Sequence, residues 1–448
     1  MVKLSGFLPA SSLFDATEQS NKKEKIIPRK RKPYSITHNA LIEQLFTAYF
    51  DARRSKRGTN TQLLFEQDFE HNLMVLAREI EKGTYEVGRS VCFVTNKPVK
   101  REIFAADFRD RIVHHLLCNW LSPMFERSFI ADCYSCRKGK GTLYGIKRTH
   151  QHIRQCTQNF TQPGYVLKVD ISGYFMSINR QRLLDVVVAE MEKYRHRRCG
   201  YADLTWEEYI DYALAQDLLR KIILNNPTLN CIFRGRKDAW EGLPRNKSLF
   251  YSAEGCGLPI GNLTSQLFSN VYLSSFDNLM KRKEGLKYYG RYVDDMIIVH
   301  RSRKYLSELK DRMAYILSND YGLYMHPKKW VLQPATCGIN FLGMRLYGNV
   351  LLPGERLKRS FYRTLSAYYN LSKGNCTYAE VFFYRSCLNS YLGQLAHCSG
   401  FGLRKKVGFM LYNMSVPYLL IDKSLSKVDI FPMNVLVLEL PRLLPMPC

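Results

Sequence analysis

Tyr288-Tyr289-Gly290-Arg291-Tyr292-Val293-Asp294-Asp295-Met296-Ile297-Ile298-Val299 is the stretch whose reading decides the fold. An aromatic-rich strand runs into a tight turn, and a β-branched strand runs out, which predicts a β-hairpin. Two adjacent carboxylates sit at the turn. Neighbouring acids repel each other, and the pairing recurs where a multivalent cation offsets that cost. A solvated acidic turn is the plain alternative. The apolar flanks argue against it, because they seat the hairpin on a core and hold the carboxylates rigidly.

A second strand belongs with the hairpin. Tyr165-Val166-Leu167-Lys168-Val169-Asp170-Ile171 is short, apolar and ends in a carboxylate. Asp170 delivered beside Asp294 and Asp295 makes a three-carboxylate site. Two-metal phosphoryl transfer needs such hard oxygen ligands: one ion activates the attacking hydroxyl, and the other neutralises the leaving pyrophosphate.

These residues resemble the motifs of reverse transcriptases. Tyr292-Val293-Asp294-Asp295 is similar to the YxDD motif, and Asp170 followed by Phe175 to the first palm motif. Gly257-Leu258-Pro259-Ile260-Gly261-Asn262-Leu263-Thr264-Ser265-Gln266 is similar to the central loop-and-helix motif, in the wording found in diversity-generating retroelements. Phe341-Leu342-Gly343 resembles the primer-contacting motif. The resemblance covers roughly residues 90 to 410, and four motifs in order make it specific.

The resemblance implies an α/β right-hand polymerase fold, with fingers, a palm built on an antiparallel sheet, and a helical thumb. It implies catalysis by Asp170, Asp294, Asp295 and Lys329, and two Mg²⁺ ions, with Mn²⁺ as a substitute, at Asp170, Ile171, Asp294 and Asp295. Lys329 matches the lysine thought to protonate pyrophosphate; an exposed basic turn is the plain alternative. Arg137 and Lys140 match cations that bind the nucleotide's phosphates, in the loop Ser135-Cys136-Arg137-Lys138-Gly139-Lys140-Gly141-Thr142. Lys138 stands where many relatives have proline. Phe175 matches the aromatic beneath the deoxyribose. Ile260 stands where many reverse transcriptases carry glutamine, and Gln266 where the family contacts template.

Bulk properties bound the rest. The chain has 448 residues, 46% of them hydrophobic, enough for two or three subdomains. A formal charge of +26 implies a polyanionic partner, nucleic acid first and an anionic membrane surface second. Aromatics at 13% exclude a disordered chain. No apolar run reaches transmembrane length and Met1 opens no secretory pattern, so the expectation is a cytoplasmic, bacterial or phage-encoded protein with no membrane partner. The 13 cysteines are scattered and read as reduced thiols; Cys133-Tyr134-Ser135-Cys136 is a lone pair for which zinc and incidental burial both stand.

The expected organisation is a basic flexible arm over 1–33, fingers and the start of the palm over 34–164, palm over 165–350, thumb over 351–416 and an apolar tail over 417–448. Helices are expected from Thr37 to Asp51, Asp68 to Lys82, Asp107 to Leu121, Trp206 to Leu224, Thr264 to Lys281 and Ser302 to Tyr321. Arg234 to Ser248 is a charged loop of no legible role. Basic residues interleave with aromatics from Gly354 onward, as a duplex-gripping thumb requires.

The function expected is RNA-directed DNA synthesis, copying a template-repeat RNA into mutagenised cDNA that diversifies a target gene. Its partners are then template RNA, the cDNA–primer duplex, dNTPs and a small basic accessory protein. Retron or phage-defence reverse transcriptases are the alternative; the Val-Thr-Gly triplet of retrons is missing near the thumb. A non-catalytic RNA-binding scaffold is the other, and would show loss of a palm carboxylate. The chain also ends too soon after the thumb for a DNA endonuclease domain to be expected.

Overall fold

The computed structural model describes residues 38–430 apart from 55–57, 97–98, 202, 375 and 414–417. The basic arm, Thr37 at the start of the first expected helix, and the last part of the apolar tail, 431–448, lie outside the described residues.

Three helices come first, α1 (His38–Arg54), α2 (Asn60–Glu66) and α3 (Phe69–Glu81). Leu41, Leu45, Ala48 and Ala52 recur at helical spacing on α1 and are all buried. Strands β1 (Ser90–Thr95) and β2 (Arg101–Ala105) pair antiparallel. Helix α4 (Phe108–Phe125) starts at Asp107, whose carboxylate caps it by accepting from the Arg109 amide at 3.0 Å. It runs past the expected Leu121, through Pro123, and is buried along most of its length, so it forms the central post of the main core. Helix α5 (Thr142–Cys156) and strand β3 (Tyr165–Asp170) follow.

After β3 come α6 (Tyr174–Ser177) and α7 (Arg180–Glu192). The single helix expected over 206–224 is two, α8 (Trp206–Tyr209) and α9 (Tyr212–Leu224). Asp211 breaks it, because its carboxylate accepts from the Leu214 amide and starts a new N-terminus. Strand β4 (Cys231–Phe233) joins β1 in parallel, giving a sheet ordered β2-β1-β4. The charged loop after it is pinned to that sheet by the buried carboxylate of Glu102, which accepts from Trp240 Nε1 (2.8 Å), Ser248 Oγ (2.9 Å) and the Leu249 amide (2.7 Å).

The helix expected over 264–281 is also broken, into α10 (Leu263–Tyr272), α11 (Ser274–Asn278) and a wide π turn over Leu279–Lys283. Strands β5 (Tyr289–Tyr292) and β6 (Asp295–His300), helix α12 (Arg303–Tyr321) and strand β7 (Val331–Pro334) complete the second sheet, ordered β5-β6-β3-β7 and antiparallel throughout. Its two central strands read as near-continuous apolar runs because both faces are covered. Leu167, Val169, Met296 and Ile298 face the main core, while Val166, Ile297 and Val299 face a second core with Tyr134, Ile153 and Phe341.

Strands β8 (Ile339–Phe341), β9 (Met344–Tyr347) and β10 (Val350–Pro353) form a small sheet leading to α13 (Glu355–Leu371), α14 (Tyr378–Leu395) and α15 (Phe401–Tyr412). These helices share a core of their own with Leu419 and Val428, which lie on the hairpin β11 (Leu419–Ile421) and β12 (Val428–Ile430). The hairpin is docked by Asn389, which exchanges two hydrogen bonds with the Val428 backbone, at 2.8 and 2.6 Å. The first part of the expected tail is thus packed into the helical bundle.

Candidate active site

The register of the second sheet brings the three acids together. Asp170, the last residue of β3, stands directly across from Asp295, the first of β6, and Tyr292 stands across from Asp295 on the other side. Asp294 occupies the turn, and its carbonyl accepts from the Ile171 amide at 3.3 Å. Two residues thus form the turn, and its first, Val293, has φ +56°. That is the left-handed region, where a β-branched residue is strained.

The turn is over-determined from below. The Val293 amide donates to Ser135 Oγ (3.2 Å), and the Val293 carbonyl accepts from Arg291 Nη1 (2.9 Å). Ser135 is in turn held by Asn270 of α10, through bonds of 3.0 and 2.8 Å. Arg291 is fully buried and pairs with Asp277, also buried, at 2.6 Å. Tyr289 OH donates to the same carboxylate at 2.6 Å. The break between α10 and the π turn is where Asp277 turns inward to meet them. Gly290 is required between these two residues, because a Cβ there would collide with the Tyr134 ring.

Burial raises the proton affinity of Asp294, helped by the charges of Asp295 and Asp170, and pushes its pKa up to about 6. Burial likewise lifts Asp170, with Asp295 adding to it and Lys329 opposing. Two ammonium groups stand at the acids: Lys168 Nζ lies 3.1 Å from Asp295 Oδ1, and Lys329 Nζ lies 3.6 Å from Asp170 Oδ1. Lys329 reaches this place because its segment is stitched to the end of β3. The His326 amide donates to the Asp170 carbonyl (2.7 Å), and the Ser172 amide to the Tyr324 carbonyl (2.8 Å).

The donor chemistry suits divalent ions: hard carboxylate oxygens, crowded enough to resist sharing one charge-free site. Ile171, by contrast, has only a backbone carbonyl to offer. Among the described residues no three acid, histidine or cysteine side chains already converge as a finished ion cage. The acids instead lean on Lys168 and Lys329.

The other expected residues divide. Phe175 is half-buried, edge-on to Tyr174, and bridges the main core and a small cluster of Cys92, Phe104, Met176 and Leu249. Ile260 packs against that same small cluster, and its carbonyl accepts from the Phe104 amide at 2.9 Å. Gln266 is exposed on the first turns of α10. Lys140 Nζ donates to the Ala131 carbonyl and lies 5.7 Å from the Tyr144 ring centre.

Arg137 departs from its expected part. Its guanidinium is buried and faces inward: it pairs with Glu126 at 2.6 Å and donates to the carbonyls of Ile130 (2.7 Å) and Cys133 (3.0 Å). In this arrangement it has no face free for a phosphate. Glu126 and the two carbonyls hold it there, and the loop turns sharply at the preceding residue, Cys136, which has φ +52°. Cys133 is buried beside Arg291 and Cys136 is exposed.

Sequence reasoning missed the supports, Asp132, Ser135, Asn270, Asp277 and Arg291. One signal was present: Arg291 lies in the middle of a strand that is otherwise aromatic and glycine, where a cation must find a buried partner.

A carboxylate-edged antiparallel sheet flanked by helices, with a helical bundle after it, is the palm and thumb of a right-hand polymerase. Residues 97–346 match the family described as Reverse transcriptase (RNA-dependent DNA polymerase). The chain belongs to that family and is, by class, an RNA-directed DNA polymerase, a nucleotidyltransferase whose relatives generally use divalent metal ions. It is similar to Protein YkfC of Escherichia coli (strain K12), 22% identical over 339 residues, covering 66% of this chain and 78% of that protein. Among solved structures it is similar to telomerase from Candida albicans in complex with a TWJ fragment of telomeric RNA (12% identity, 77% of this chain and 61% of that one, TM-score 0.40). It is also similar to apo telomerase from Candida tropicalis (15% identity, 73% and 56%, TM-score 0.42). The chain therefore spans about three fifths of the length of the telomerase chains it matches. Among the described residues no helix is long and apolar enough to cross a membrane.

Proposed function

We propose that this chain copies an RNA template into DNA at Asp170, Asp294 and Asp295. The observation that carries the reading is the register pairing of Asp170 with Asp295, with Asp294 on the adjoining turn. Asp170, Asp294 and Asp295, with the Ile171 carbonyl, would hold two Mg²⁺ ions. When bound, such ions supply charge neutralisation for the attacking and leaving oxygens. Lys168 beside Asp295 and Lys329 beside Asp170 offset part of the like-charge crowding in the metal-free site. Lys329, mostly solvent-facing and 3.6 Å from Asp170, is placed to hand a proton to pyrophosphate as it departs. Phe175 walls the sugar site, and Gln266, exposed on α10, meets the template.

The fingers over 34–164, palm over 165–350 and thumb over 351–416 then enclose a primer–template duplex, with the basic, aromatic faces of α13 to α15 along its backbone. The finer reading is that the template is a repeat RNA, copied with errors, and that the cDNA diversifies a target gene with the help of a small basic accessory protein. The wording Gly257 to Gln266 and the apolar seat of Ile260 support it. Primer extension on an RNA template, followed by sequencing of the cDNA, tests both levels. Absence of RNA-templated product would sink the first. Accurate copying at every template base would sink the second and leave the first.

A further inference from the structure

The loop after β4 builds an aromatic surface that no step of polymerisation uses. Phe233, on edge strand β4, is 60% exposed and stacks on Phe250, with ring centres 5.7 Å apart and planes inclined by 16°. Tyr251, next along, is 63% exposed, and the Arg245 guanidinium lies over its ring at 5.2 Å. Arg234 lies over the Phe93 ring at 4.2 Å. No carboxylate pairs with Arg234 or Arg245 among the described residues. Trp240, in contrast, is tied down: its ring meets Phe233 edge-on and its Nε1 bonds to buried Glu102. Anchoring the loop therefore falls to Trp240 and Glu102, and leaves the exposed faces of Phe233 and Tyr251 without a structural task.

The loop that carries the surface touches the chain just past Asp170. Asn246 Nδ2 donates to Ser172 Oγ at 3.3 Å, two residues past Asp170. Gly173, at φ +56°, lets the Asn246 carbonyl close in; a Cβ there would stand 2.9 Å from it. Beneath the surface lies the small core of Cys92, Phe104, Met176 and Leu249, on which Phe175 and Ile260 also rest.

Exposed ring faces interleaved with unpaired guanidinium groups are the chemistry that grips unpaired nucleotides: bases stack on rings, and cations track phosphates. From Arg234 to Tyr251 the basic residues are Arg234, Arg236, Lys237, Arg245 and Lys247, against Asp238 and Glu241, in a chain of formal charge +26. We propose that Phe233, Phe250 and Tyr251, with Arg234 and Arg245, form a stacking platform for unpaired bases of the RNA template beside the catalytic strand. The proposal rests on the reading that the chain copies RNA, and names where that RNA is held while single-stranded.

Binding of a fluorescent, unstructured oligouridine RNA to the full chain, without dNTPs or divalent ions, tests it independently of polymerisation. The Phe233→Ala, Tyr251→Ala double variant should weaken binding roughly tenfold or more, with an unchanged dependence on salt, because rings contact bases and not phosphates. Arg245→Gln should reduce the slope of log affinity against log salt by about 0.7. Tyr251→Phe should bind as wild type, which separates stacking from misfolding. In the wild-type chain, RNA carrying 4-thiouridine should crosslink on irradiation to the peptide bearing Phe233 or that bearing Tyr251. Crosslinks confined to other regions, or unchanged affinity in a folded double variant, would overturn the platform, including the case where a protein covers this face. A chain that fails to extend any primer yet shows these binding losses would sink the function reading and keep the platform.

Discussion

Arg291 Nη1 donates to the Val293 carbonyl at 2.9 Å while the rest of its guanidinium is locked on Asp277. One buried fork therefore ties the strained residue before the acid pair to a carboxylate in the broken helix beneath the sheet. Removing it with Arg291→Ala leaves Asp277 buried and uncompensated, at a cost of roughly 3–5 kcal/mol. Arg291→Lys keeps the charge, but a single ammonium cannot span both partners. The Lys variant should fold with a lowered melting midpoint and need more Mg²⁺ for half-maximal primer extension. A wild-type Mg²⁺ titration in that variant would show that the fork does not position the turn.

Asp294→Asn and Asp295→Asn each remove a charged ligand and should lower the rate of RNA-templated extension by about a hundredfold or more. Asp294→Asn should not destabilise the metal-free protein, since it relieves repulsion from Asp170 and Asp295. Thermal melting in EDTA beside the extension assay separates the two effects. Near-normal extension by the double variant would falsify the metal assignment.

Asp132 gives the clearest pH dependence. It is buried and takes Arg148 Nε at 2.9 Å, Lys281 Nζ at 2.9 Å and His152 Nε2 at 3.6 Å, and its carbonyl accepts from the Arg291 amide at 2.9 Å. Burial alone would raise its pKa, but the bonds from Arg148 and Lys281 outweigh it and hold the carboxyl below its usual range. A depressed folded pKa contributes stability that is present above the unfolded value, about 3.9, and is lost as pH falls through the folded one. The wild type should thus lose stability more steeply than Asp132→Asn as pH drops from about 5 to 3. Parallel melting curves across that range would remove Asp132 from the account.

Much of this was legible in the chain because its signals are local. The Tyr288–Val299 hairpin, the strand ending in Asp170 and the helix starts near Asp107 and Ser302 depend on near neighbours, and each lies close to where its pattern puts it. What was not legible depends on partners far along the chain. Asp277 is turned inward onto Arg291, and Arg137 onto Glu126 and two carbonyls; neither pairing leaves a periodicity to read. The loop from Arg234 to Ser248 looked merely charged because its anchor, Glu102, lies some 140 residues earlier.

Phe175 should act as the sugar gate implied by its spacing from Asp170. Its half-buried ring also bridges two apolar clusters, so Phe175→Ala carries a packing cost and Phe175→Val is the gentler probe. Both should raise incorporation of ribonucleotides relative to deoxyribonucleotides while some DNA synthesis remains. Unchanged discrimination in a soluble variant would remove the gate.

Ile260 should lower the fidelity of copying. Its carbonyl is fixed by the Phe104 amide, and it packs against the cluster of Cys92, Phe104, Met176 and Leu249, on which Phe175 also rests. Isoleucine has neither donor nor acceptor, so it can press on a nucleotide's site but not read it. A glutamine here can hydrogen-bond, and a mispositioned nucleotide then leaves a buried polar group unpaired, which sharpens discrimination. The same seat means that Ile260→Gln sets an amide against an apolar cluster, at roughly 1–3 kcal/mol if the amide stays buried and unpaired. Two readouts are therefore expected together: a lowered melting midpoint and fewer misincorporations, above all opposite template adenine, when cDNA from one RNA template is sequenced. Ile260→Val controls for packing, since it trims the seat without adding a polar group, and should leave the error spectrum alone. If Ile260→Gln extends efficiently with the wild-type error spectrum, Ile260 serves only to fill the apolar side of its loop, and the source of errors lies elsewhere in the site.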